Sequence, residues 1–300
     1  MSQILVGTYA GVRTFANGTE GPTELAGRSV WVLAPAPDGA CVAVVSGNQV
    51  WRRTAAGVWS HLATAPIGLT SIHCANDVVF CGGMTEATIL RLDPGGALHP
   101  LPGFEQVPGR ATWFPQGPPI HVRALASTRK ALLAAVHVGG IPRSADRGAS
   151  WLPTLPIEHD VHDVRAHPTA PLIAASSAIG LCVSEDDGRS WTVHAAGLDL
   201  TDSLAVAIRR DTVLFSIQDG PFAKSARLYR WSRAHPVLEQ VRDGLPDWLD
   251  GKVDTAHLAA AGDCAALLTS AGTLWVSPAS DAPWHRVASS LPAAFSVLVI

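Results

Sequence analysis

Short apolar and β-branched runs recur along the whole chain, each cut off by Gly, Pro, Asn, Asp or Ser. Within the runs apolar and polar positions tend to alternate, and no useful stretch carries the 3.6-residue period of a helix. Two segments set the repeat, HVRALASTRKALLAAVHVGGIPRSADRGASWLPTLP from His121 and HDVRAHPTAPLIAASSAIGLCVSEDDGRSWTVHAAGL from His162. Each holds four runs, termed A to D. A-type runs recur seven times, at 30–33, 71–74, 122–125, 164–167, 204–208, 255–259 and 295–299. B-type runs also recur seven times, at 4–7, 41–46, 78–81, 132–138, 172–176, 213–217 and 264–268. The ends are out of phase, because the first repeat opens on a B-type run and the last run is A-type. A ring of four-stranded sheets resolves this by pairing the two ends in one blade, which removes an open edge. The expected fold is therefore all-β, a seven-bladed β-propeller of four-stranded antiparallel blades, closed by the C-terminal strand pairing into the N-terminal blade. It forms one domain over 1–300, with blades at 1–27 plus 293–300, 28–66, 67–108, 120–157, 160–198, 201–246 and 252–292.

Two C–D turns share a motif, S-x-D-x-G-x-[ST]-W. It runs Ser144, Asp146, Gly148, Ser150, Trp151 and again Ser184, Asp186, Gly188, Ser190, Trp191, 40 residues later. A third turn, from Ser277 to Trp284, keeps the spacing and loses the glycine. The chemistry is local: a short carboxylate accepts backbone N–H bonds of its own turn, glycine supplies a positive φ, and Trp fills the gap between blades. Asp146 and Asp186 are therefore read as structural. The pattern resembles the BNR or Asp-box repeat of sialidase-like and sortilin-like propellers. That resemblance implies a propeller and points to carbohydrate or protein recognition. Sialidase chemistry in that superfamily uses an arginine triad and a tyrosine nucleophile paired with a glutamate. Here the only tyrosines are Tyr9 and Tyr229, and no arginine triad is placed by motif, so sialidase activity is not expected.

Composition narrows the classes. Apolar residues make up 47% and charged residues 16%, enough for a packed core, and the net charge of −3 offers no basic field for nucleic acid. No apolar run approaches a transmembrane length, and the N-terminal MSQILVGTYAGVR has no signal-peptide pattern. Five cysteines, an odd number without a CxxC pair, fit reduced thiols. A cytoplasmic monomer without membrane or nucleic-acid partners is expected.

In a propeller the D–A and B–C loops gather on one face, around the central channel, and the C–D turns lie on the other. The first face carries the candidate chemistry. Its richest connection is Glu158, His159, Asp160, Val161, His162, Asp163. His121, Arg123 and His137 belong to the preceding repeat. Arg165 is taken as the equivalent of Arg123, and His73, His257 and Trp31 as channel-facing in the same register. Loop aromatics add Trp113, Phe114, Phe222 and Trp248, beside Gln116, Asp219, Lys224, Asp250, Lys252 and Asp254. The plainer reading makes the inner-strand His and Arg partners of channel water and carbonyls. Two sharper readings compete with it. His121, His137, His159 and His162, with Asp160 or Asp163, have the donor types for a divalent metal such as zinc, iron or manganese. Alternatively, two of Glu158, Asp160, Asp163, Asp202 and Asp254 form a glycosidase carboxylate pair. The expected function is binding of a small polar ligand, glycan or protein at this face. The alternative is a hydrolase or lyase using the same mouth.

Overall fold

The computed structural model describes residues 2–113 and 120–300. It contains seven four-stranded antiparallel sheets in a ring. The strands nearest the axis are Val30–Pro35, Leu69–Ala75, Val122–Ser127, Val161–Ala166, Val206–Arg209, Leu258–Ala261 and Ala294–Val299. The second strand of each blade is buried almost throughout, as in Cys41–Val45, Leu132–Val136, Ile173–Ser177 and Cys264–Leu268. Both faces of such a strand pack on neighbouring blades, so its sequence is a continuous apolar run instead of an alternation. The outermost strands are short and polar, down to Thr19–Glu20 and Glu239–Gln240, which leaves little edge to template aggregation. No helix among the described residues is long and apolar enough to cross a membrane.

The core is distributed between blades. One cluster joins Ala124, Leu133 and Ile141 of the fourth blade to Val164, Ile173 and Cys182 of the fifth. Another joins Ile4, Val6 and Val297 of the first blade to Ala266, Leu268 and Val276 of the seventh. Each wedge needs both neighbours, so the ring is stable only when closed. Closure is antiparallel, with Ile4 opposite Val299, Leu5 opposite Leu298 and Val6 opposite Val297. Gln3 and Ile300 then exchange backbone hydrogen bonds of 2.7 and 2.9 Å.

The two motif turns form the same lock. In the first, the Ser144 hydroxyl donates to Asp146 Oδ1 at 2.7 Å and accepts from Gly148 N–H at 2.8 Å. Asp146 also accepts from the Ser150 amide at 2.8 Å and hydroxyl at 2.6 Å. Ser184, Asp186, Gly188 and Ser190 repeat these bonds. Gly148 and Gly188 sit at φ +93° and +79°, where a side chain is strained. Trp151 is buried and donates to the Gly148 carbonyl at 3.1 Å. Trp191 donates to Thr154 Oγ1 in the preceding blade at 3.2 Å. In the third turn the Ser277 hydroxyl bonds the carbonyls of Ala279 and Ala282 instead, and Asp281 takes no part. Tyr229 packs inside its blade against Phe215, and Tyr9 is exposed.

Two outcomes follow from this architecture. Leu298→Ala, at a fully enclosed seam position, should cost about 2–5 kcal/mol by chemical denaturation, and deletion of 295–300 should abolish the single cooperative transition. An unchanged melting curve for the truncated chain would show that the ring does not depend on its seam. Hydrogen bonds from Ser150 hold the Asp146 carboxyl down to about 2, from an ordinary 3.8. Asp186, whose hydrogen bonds to Ser190, Ser184 and Arg189 outweigh a burial effect in the opposite sense, is also held at about 2. Carboxyls depressed on folding stabilise above their unfolded value and lose that contribution as pH falls toward the folded one. Asp146→Asn should therefore lower the melting temperature at neutral pH and flatten its decline between about pH 4 and pH 2.

Candidate functional site

Five inner strands share one irregularity. Pairing with the second strand slips by one residue between Val30 and Val32, Leu69 and Ser71, Val122 and Ala124, Val161 and Asp163, and at the seam beside Thr8. The skipped residues are Trp31, Thr70, Arg123, His162 and Phe295, which a bulge turns out of the ladder at the mouth of the channel. This register corrects one sequence expectation. His162, not Arg165, is the counterpart of Arg123. Arg165 pairs opposite Ala174 as Ala126 pairs opposite Leu133, so it lies further along the channel, level with His73 opposite Phe80. His257 also departs from its expected place. It precedes the strand Leu258–Ala261, is buried, and is not on the channel wall.

The bulged His162 organises the site. Its Nδ1 lies 2.8 Å from the Ser203 carbonyl, which only accepts, so Nδ1 carries the hydrogen and Nε2 faces Asp160 Oδ2 at 3.5 Å. Asp160 Oδ1 lies 3.8 Å from His137 Nε2, and the His137 ring stacks on His121 with centroids 5.2 Å apart. Asp160 occupies a left-handed backbone conformation, φ 45°, just after the short helical turn Ile157–His159. Its side chain is one-third exposed, though Oδ1 is buried, while His162 behind it is 4% exposed. Asp202 Oδ1 lies 3.9 Å from the other ring nitrogen of His162.

Arg123 spans the mouth. Its guanidinium bonds Asp254 Oδ1 at 3.2 Å and Thr255 Oγ1 at 2.8 Å, on the segment entering the seventh blade. Thr255 Oγ1 in turn donates toward the carbonyls of His162 and Leu204. Asp254 also receives Lys252 at 2.6 Å. One hydroxyl and one guanidinium thus tie together blades four to seven.

The charges are sorted by these contacts. Burial opposes ionisation of Asp160, but His162, His137 and Arg123 outweigh it and hold the carboxyl below its usual range. Burial pushes Asp202 up, helped by the neighbouring Asp160 and Asp254 carboxylates and opposed by His162 and Arg123. Burial, with Arg123, His121 and His162 nearby, lowers His137 to about 4 despite Asp160. Asp254 resists a burial penalty through Arg123 and Lys252 and lies low. Asp160 Oδ1 and Asp202 Oδ2 carry no hydrogen bond among the described residues.

The other sequence candidates divide clearly. Asp163 is fully buried and accepts the Val164 amide at 2.9 Å and the Val206 amide of the next blade at 3.4 Å, a structural role. Glu158 is exposed beside the cluster, and His159 is half-buried with no hydrogen bond to Nδ1. Among the described residues no three His, Cys, Asp or Glu side chains converge as a metal-holding group, so the four histidines do not form the ligand set considered for a metal. Trp113 is buried against Phe104 under Arg110 and does not reach the rim. Phe114 and Gln116 lie outside the described residues. Trp248 is 40% exposed with Arg227 stacked 3.8 Å from its ring centre, and Phe222 is 92% exposed. In sequence Asp202 stands only as one of several candidate carboxylates, and Lys252 only as a loop charge. Thr255, which joins the mouth, has no signature in sequence.

No protein-family model and no curated protein matches this chain. Solved structures do. A periplasmic gluconolactonase from Pseudomonas aeruginosa aligns with a TM-score of 0.66 at 13% identity, covering 100% of this chain and 99% of that one. A catalytically inactive virginiamycin B lyase from Staphylococcus aureus, solved with quinupristin, aligns at 0.63 and 12% identity over 92% and 87%. An ancestral GH74 enzyme aligns at 0.66 and 12% identity, covering 87% of this chain but 39% of that one. What this chain shares with them is the β-propeller fold. At such identities the likeness carries no assignment of activity.

Burial sets a pH dependence that can be measured. His73, His137 and His257 are each lowered to about 4 from 6.5, in each case chiefly by burial. Between those values the unfolded chain binds more protons, so stability falls as pH drops through that window. His257→Gln should reduce the loss of melting temperature between about pH 6.5 and pH 4.5. A melting temperature that stays flat across the window in the unaltered protein contradicts these burial effects.

Proposed function

We propose that the face carrying the D–A and B–C loops binds a small polar ligand, a sugar or sugar-derived acid or lactone, with Asp160 as its principal acceptor. The observation that carries this reading is a partly exposed carboxylate, held low in its titration, backed by two histidine rings at 3.5 and 3.8 Å within an array of Arg123, Lys252, Asp202 and Asp254. Hydroxyl groups suit such a mixed donor and acceptor surface, and Trp248 and Phe222 offer apolar faces on the same side. The Asp-box turns support placing the chain with Asp-box propellers. The near-neutral net charge and free thiols support a single chain acting in the cytoplasm without nucleic-acid or membrane partners.

One observation favours a second reading, catalysis at the same place. Asp160 is held low and Asp202 is pushed up, so the two carboxyls that flank one histidine are driven apart in proton affinity. A lactone hydrolase would use Asp160 to take a proton from the attacking water and Asp202 to return one to the departing ring oxygen. A screen of glucono-1,5-lactone, gluconate, N-acetylneuraminate and glucose by calorimetry and base-uptake titration tests both readings. Binding should weaken at least roughly tenfold in Asp160→Asn, and any turnover should fall about 100-fold or more in both Asp160→Asn and Asp202→Asn. Binding that survives Asp160→Asn and Arg123→Gln undiminished removes this face as the site.

A further inference from the structure

The central channel is a second chemical environment, distinct from the mouth. It encloses about 1110 Å³ and runs along the inner strands from Trp31, Arg123 and Phe295 to the turns at Pro35, Arg210 and Gly262. Asp160, His162 and Asp202 are not on its wall. A water-filled channel needs polar partners for its waters, whereas this wall is mostly apolar, with nine alanines beside residues such as Ile72, Ile208, Leu258 and Val297. Its volume slightly exceeds the roughly 300–1,000 Å³ typical of small-molecule sites.

The charged groups on the wall are of one sign, set among the hydroxyls of Thr70, Ser71, Ser127 and Thr255. Among the described residues it carries arginines and histidines and no Asp or Glu. Arg123 and Arg210 spend their guanidinium groups on Asp254 and Thr255, and on Asp263. Arg165 has a single ion pair, Nη2 to Asp163 at 3.2 Å, and remains one-third exposed. Asp163 itself is committed to two backbone amides, and burial opposes its ionisation. Arg165 stands close enough to His73 for its charge to depress that ring, and His73 bonds Ser127 at 2.8 Å. From the bulge at His162 to Arg165 is three residues, about 10 Å along the axis. At the mouth end, Trp31 and Phe295 face each other with ring centres 6.3 Å apart.

We propose that the channel binds a medium-chain carboxylate, its head on Arg165 beside His73 and Ser127 and its alkyl chain along the apolar wall toward Trp31 and Phe295. The guanidinium supplies paired donors for a carboxylate, and the wall supplies apolar area that no water can exploit. This site is independent of the Asp160 mouth.

Decanoate is the probe, with decanol as the neutral control, both followed by calorimetry and tryptophan fluorescence. Decanoate should bind the unaltered protein and raise its melting temperature, and decanol should bind at least roughly tenfold more weakly. Arg165→Gln should bring decanoate down to the decanol level, and Ala166→Phe, which narrows the channel, should weaken both. Should Arg165→Gln misfold because Asp163 loses its partner, the pair Asp163→Asn with Arg165→Gln removes both charges and serves instead. Asp160→Asn should leave decanoate binding unchanged, which keeps this test separate from that of the mouth. Failure of decanoate to bind the folded protein, or equal binding to the Arg165 variant, overturns the proposal.

Discussion

The pairing of Ala294–Val299 with Gln3–Thr8 is the contact on which every other part of the ring relies. No blade owns a complete core, because each apolar cluster is shared across a boundary between neighbours. In an open arc two sheets would each present a bare face. The seam converts seven marginal sheets into one body, and it holds the inner strands at a common distance from the axis. The mouth and the channel exist only because that distance is held.

Against this scaffold, the site is a set of small departures from regularity. One slipped residue in each of five inner strands turns residues such as Arg123 and His162 out of the ladder, and a left-handed residue at Asp160 brings a carboxylate over the buried imidazole. The hydrogen bond to the Ser203 carbonyl fixes which nitrogen of His162 faces Asp160. Arg123 and Thr255 then span the mouth and separate a charged rim from a mostly apolar interior. Two environments of opposite character lie within one short axis.

Legibility in sequence followed the range of the interaction. The second strands were readable because burial on both faces leaves an unbroken apolar run, and the two S-x-D-x-G-x-[ST]-W turns because the bonds among their Ser, Asp and Gly residues close within eight residues. The phase mismatch between the ends revealed the seam. Register was less legible. Alternation alone put Arg165 level with Arg123, and a bulge of one residue, invisible to pattern, moved that equivalence to His162. Trp113 looked like a rim aromatic because its loop is long and polar, yet the short helix Pro102–Glu105 gives it Phe104 to pack on. The histidines seemed suited to a metal by type, but ligation depends on convergence, which spacing across separate blades does not encode. The bond from Arg123 to Thr255 spans 132 positions and leaves no local trace.

The seam has a mechanical consequence. Its two strands run antiparallel, and Gln3 and Ile300 lie side by side at one end of the pair. A force drawn through both ends of this chain therefore does not shear the strands past each other. It peels them apart, loading one hydrogen-bonded pair at a time, the weakest direction in which a ladder can be pulled. Heat must disorder whole wedges together, whereas tension on the ends has only to open a zip.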